Sequence, residues 1–165
     1  MKKTQTEFPV QHIQVTLPQS FDEVAAKLES RLGRFDPSVF PAGPVEAEAA
    51  ESVRARIRAM EGPEGFMLFS VIDHGAVLAL QGKPSRAKQY VLGNPLIAVE
   101  MTQQDVRAGL YAPLRLYVYA EGAGTRLEYD LPSSLFGQWG NGAVNRVAGD
   151  LDKKMEALLV FVAEN

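Results

Sequence analysis

The sequence predicts an α+β fold of two layers, a mainly antiparallel sheet with helices packed on it. Three observations predict it. Residues 10–17 and 125–131 alternate apolar and polar side chains with the two-residue period of half-buried strands. Val144, Val147, Ala148, Leu151, Met155, Leu158, Leu159 and Val162 repeat at the three-and-four spacing of a long amphipathic helix. Between them the chain reads strand, helix, second helix, strands, short helix and hairpin. With 165 residues, 46% of them hydrophobic, there is enough apolar side chain for one domain spanning residues 1–165, burying about 70% of its unfolded surface.

Each element has a local cause. In residues 10–17, Ile13, Val15 and Leu17 fall on one face and His12, Gln14 and Thr16 on the other, and Pro18 ends the run. Ser20-Phe21-Asp22-Glu23 is a capping box, followed by Phe21, Val24, Ala25, Leu28 and Leu32 at helical spacing. Gly33 is placed to terminate that helix, and three prolines within residues 36–44 demand a loop. Residues 45–60 predict a helix whose acids come early and arginines late, with a thin apolar stripe suited to covering an edge or a face. The apolar run 66–72, bounded by turn residues, suits a central strand; a short apolar stretch, 76–80, follows Asp73-His74-Gly75. Residues 89–92 form a strand, and Pro95 opens a helix to about Thr102. Residues 113–120 and 125–131 pair as a hairpin across Glu121-Gly122-Ala123-Gly124, and Asn141 caps the final helix.

Composition excludes several functions. Seventeen basic against 20 acidic residues give a net charge of −3, so there is no broad cationic field for nucleic acid. Without cysteine there is no disulfide, thiolate nucleophile or zinc knuckle. Two histidines remain; His12 with His74 and a carboxylate lacks any diagnostic ligand spacing, so neither a metal nor a cofactor is expected. The basic start lacks the apolar run of a secretory signal, and no stretch approaches the roughly 20 apolar residues of a membrane span. A cytoplasmic protein that does not enter membranes is expected.

Several segments together resemble a known family, the one catalogued as domain of unknown function 302. They are the Ser20-Phe21-Asp22-Glu23 helix start, Gly65-Phe66 leading to Ile72-Asp73-His74, Leu92-Gly93-Asn94-Pro95, and the hairpin from Ala112-Pro113 through Glu128-Tyr129-Asp130-Leu131-Pro132. With the terminal helix they span nearly the whole chain. The resemblance implies a two-layer α+β fold and no established activity. It also marks the loop and helix at about 34–61 as an added element, since many members pass almost directly from the first helix to the Gly-Phe strand. Gly93 stands where some members carry cysteine, so any thiol chemistry of theirs does not transfer.

Four constellations carry the functional expectations. Asp73-His74 at a strand end can present a titratable pair to a ligand, or serve only as a turn whose aspartate satisfies backbone amides. Gly93-Asn94-Pro95 offers helix N-terminal donors to an anion near Lys83, Arg86 and Lys88, or is a plain cap. Phe136 and Trp139, in the turn-rich stretch 133–142, either line a pocket or plug the core. The all-round apolar stretch 158–162 is buried within the monomer or meets a second subunit, a homodimer that light scattering tests.

The reading that follows is a non-catalytic small-molecule binding domain, with Asp73, His74, Tyr90, Gly93, Asn94 and Trp139 around the ligand. One alternative is an enzyme using His74 as acid or base with Tyr90 or Asp73 assisting. Another is a protein interaction module, a homodimer that uses the helix at 45–60 and the terminal helix.

Overall fold

The computed structural model describes residues 1–44 and 46–164 and, for Glu48, the backbone alone. The helix expected from residue 45 begins, among the described residues, at Ala47; Val45 lies outside them. Six strands make one sheet in the order β1-β6-β5-β4-β3-β2: β1 (His12–Leu17), β2 (Gly33–Arg34), β3 (Met67–Asp73), β4 (Ala87–Gly93), β5 (Leu114–Glu121) and β6 (Gly124–Asp130). All pairs are antiparallel except β2 with β3. The α+β, mainly antiparallel architecture expected from the sequence is the one found.

Register follows the alternation. Val15, Leu127 and Val118 stand opposite one another across β1, β6 and β5, so the apolar rows line up on a single face. That face is covered by α1 (Phe21–Arg31) and α6 (Gly142–Ala163), which bring Val24, Leu28, Val144, Met155 and Leu158 into the core without exposure. Both helices start as their sequences dictate. The Ser20 hydroxyl accepts from the Glu23 amide while the Glu23 carboxylate accepts from the Ser20 amide at 2.9 Å. The Asn141 side chain accepts from the Ala143 and Val144 amides.

The opposite face carries His12, Gln14, Arg115, Tyr117, Arg126 and Glu128 and is covered only at one corner. There α2 (Ala47–Arg58) and the loop before it close a small second core of Val39, Ile57 and Met67, with Phe35, Val53, Met60 and Leu96 packed against it. Met67 adjoins Phe66 and Leu68, which belong to the main core, so strand alternation turns it to the other side.

Local expectations are refined in four places. The first helix stops just before Gly33, as expected, but Leu32 closes it in extended backbone and Gly33 itself enters β2. The run 66–72 is a central strand only at its start, because β2 pairs with Met67 and Leu68 alone and leaves Ser70–Asp73 at an edge, where Ile72 is 45% exposed. The stretch after Asp73 is a helix, α3 (His74–Ala79), and the turn-rich stretch after Leu131 contains α5 (Pro132–Phe136) and a tight turn, Gly137–Trp139. Finally, the all-round apolar end of α6 is largely used within the chain: Leu158, Leu159 and Val162 are buried, and the Arg31 guanidinium lies 4.3 Å from the Phe161 ring centre. Val160 alone among them faces outward.

Candidate functional site

The residues singled out in the sequence are divided between the two ends of the β3–β4 ladder. Asp73 pairs with Lys88 and Met67 with Gly93, so Asp73-His74 and Gly93-Asn94 lie five residue steps apart along β4, about 17 Å. Asp73 caps α3, its carboxylate accepting from the Ala76 amide at 2.9 Å. The His74 ring instead packs edge-on against Tyr117, 5.6 Å between centres, on the largely uncovered face. Tyr90 points to the helix-covered face, where its hydroxyl donates to Glu29 Oε1 at 2.9 Å. Burial, and then the Glu29 carboxylate, push that phenol well above its ordinary value. Tyr90 therefore stays protonated at neutral pH, and it sits on the other side of the sheet from His74.

Two of the three basic residues, Arg86 and Lys88, are committed too. Arg86 binds Asp22, and Lys88 reaches Glu29 at 3.3 Å, both at the α3 end of the sheet and away from Asn94. Asn94 is the N-cap of α4 (Pro95–Thr102). Its Oδ1 accepts from the Leu96 amide at 2.8 Å, and its Nδ2 donates to Glu61 Oε1 and to the Gly65 carbonyl, both at 2.8 Å. One buried amide thus ties α4 to the turn before β3, a role whose loss leaves several polar groups unpaired.

Gly93 and Asn94 line a cleft of about 230 Å³. Its walls are Phe35 and Phe40 from the proline-rich loop, Phe69 from β3, Ile97, Ala98 and Met101 from α4, Pro113 before β5, and Phe136 from α5. Among the described residues Asn94 is its only side chain able to hydrogen bond, and that side chain is engaged elsewhere. Trp139 is not in the wall: its ring packs on Tyr111, which packs on Phe136. Phe69, two residues beyond Met67 and on its side of the strand, packs on Phe35 with 4.5 Å between ring centres, beside a bulge where register shifts between Leu68 and Ser70. Sequence reasoning missed Phe35, Phe40, Phe69 and Met101; the aromatic residues flanking the proline-rich loop were the available signal.

With this geometry in view, the family model described as Domain of unknown function DUF302 matches residues 43–161. The chain belongs to the DUF302 family. The match to the DUF302 model includes α2 and omits β1 and α1. The chain is also similar to the crystal structure of an uncharacterised conserved DUF302 protein from Bacillus stearothermophilus, at TM-score 0.65 and 20% identity, over 92% of this chain and 97% of that one. That likeness concerns the fold. No curated protein matches the chain.

A wider groove of about 670 Å³ crosses the largely uncovered face and holds a titratable network. His12 Nδ1 lies 2.9 Å from Asp130 and its Nε2 3.2 Å from Glu128, and the Tyr119 hydroxyl donates to Glu128 at 2.6 Å. The two imidazole nitrogens address different carboxylates, so the three groups do not converge on one point. The hydrogen bond to Asp130, followed by that to Glu128, raises the imidazole pKa above its ordinary 6.5. Because the folded value is raised, the stabilisation is complete below the unfolded pKa of about 6.5 and is lost as pH climbs through the folded one. The pair is exposed, so the expected difference between wild type and His12→Gln is roughly 0.2–1 kcal/mol below pH 6, shrinking at higher pH. Urea unfolding of both proteins from pH 5 to 9 checks this; a gap that grows with pH refutes it.

Proposed function

We propose that this DUF302 domain is a non-catalytic binding protein for a small apolar molecule, held in the cleft between α4, Pro113 and the loop bearing Phe35 and Phe40. The observation that carries the reading is a cleft with hydrocarbon walls in which the one hydrogen-bonding side chain is already engaged. Such a wall rewards apolar surface at about 25 cal/mol per Å² and offers no acid, base or nucleophile. Catalysis through His74 is less well supported, since Asp73 caps α3 and Tyr90 lies across the sheet.

A thermal-shift screen of apolar metabolites tests the proposal on wild type and on Ala98→Leu, which adds side-chain volume to the cleft from a helical position. A true ligand at about 100 times its Kd adds about 2.7 kcal/mol to the wild type. The variant is expected to fold as well and to lose that response. If no apolar compound raises the wild-type Tm, or if Ala98→Leu responds equally, the reading fails.

One observation favours a second reading. Ile72, Val77 and Leu80 are exposed together around α3, with Leu80 at 81%, an apolar surface suited to a second copy. Among the described residues no helix is long and apolar enough to cross a membrane, so a membrane-spanning helix does not account for the patch. A homodimer through it gives twice the monomer mass in light scattering at tens of micromolar, and a monomer mass counts against it.

A further inference from the structure

We infer that the cleft selects a neutral molecule built on a planar aromatic ring; the inference rests on the binding reading above and specifies its ligand. The backbone at Gly93 needs no glycine: its φ is not positive, and it holds a regular ladder position opposite Met67. What the glycine leaves is space. A carbon placed where a Cβ would stand meets Pro113 Cβ at 3.4 Å and Phe69 Cε2 at 3.5 Å, touching both walls at van der Waals distance.

The chemistry of the walls carries the inference. The Phe35 and Phe69 rings lie 4.5 Å apart between centres, tilted at 38°, and Phe40, Phe136 and the Met101 thioether add further groups that interact better with a π-system than with a saturated chain. Among the described residues no charged side chain lines the cleft, and Asn94 is engaged, so a charged or strongly hydrogen-bonding group on the ligand finds no partner among them. A cavity of about 150 Å³ is known to hold benzene, so about 230 Å³ accommodates one substituted ring or two fused ones.

The test pairs toluene with methylcyclohexane, each at the same fraction of its aqueous saturation, by thermal shift and titration calorimetry on the full chain. Toluene is expected to bind at least fivefold more tightly. Gly93→Ala, which adds a methyl to the cleft lining, is expected to weaken toluene tenfold or more. Phe69→Leu, which keeps an apolar wall but removes the ring, is expected to abolish the preference and decides the matter if Gly93→Ala folds poorly. Methylcyclohexane binding as tightly as toluene overturns the ring assignment while leaving apolar binding intact. So does an unchanged preference in Phe69→Leu, or wild-type affinity in folded Gly93→Ala. Failure of both compounds, and of every other apolar probe, removes the binding reading itself.

Discussion

Gly33→Ala is expected to cost about 3 kcal/mol or more, among the largest effects of any single methyl added to this chain. A Cβ at Gly33 would stand 1.8 Å from the Met60 carbonyl oxygen, 2.7 Å from the Gly62 amide nitrogen and 2.9 Å from the Glu61 carbonyl carbon. All three are backbone atoms, which cannot swing aside as a side-chain tip can. They belong to the turn that Asn94 holds through Glu61 and Gly65, so relief of the clash propagates to α4 and the cleft. Gly43→Ala is the control, since nothing lies within 4 Å of a Cβ there, and it should be neutral within about 0.5 kcal/mol. Urea unfolding of the two variants decides the point: equal midpoints would show that the close approach at Gly33 does not constrain the fold.

Phe136→Ala is expected to cost about 3–5 kcal/mol. The ring is wholly buried in the main core, and Tyr111 packs edge-on against it at 6.4 Å. It also forms one wall of the cleft, so its removal joins a new void to an existing one. Surroundings that already border empty space have little left to collapse into the gap, which places the cost toward the upper end of the range. For a domain of this length the Tm should fall by roughly 10 °C. Differential scanning calorimetry reads the loss directly, and a fall of only a degree or two would mean that Phe136 is not a core wall.

Much of the fold is legible in the sequence because its periodicities are long and uninterrupted. The hairpin of β5 and β6 and the apolar repeat of α6 each bury one face, and burial is what a two-residue or 3.6-residue period records. The capping box at Ser20 and the Asn94-Pro95 start of α4 are local chemistry and can be read locally. The cleft could not be read in the same way. It depends on Phe35 and Phe40 approaching Phe69 and α4 from a distant loop, and a tertiary contact leaves no period in the sequence. Gly33 is legible only in part: its place after the helix marks the stop, whereas the close approach of the carbonyl of residue 60 is a tertiary contact.

The strand order has a kinetic consequence. Strands β3 to β6 pair with their neighbours in sequence, so this meander can zip from one turn to the next. β1 is different, because His12 finds Asp130 across 118 residues and docks on β6 after the hairpin that supplies its partner has formed. Closing so long a loop carries an entropic cost that the meander never meets. The amino-terminal strand is thus the late-arriving member of the sheet, added to a partner edge that the rest of the chain has already built.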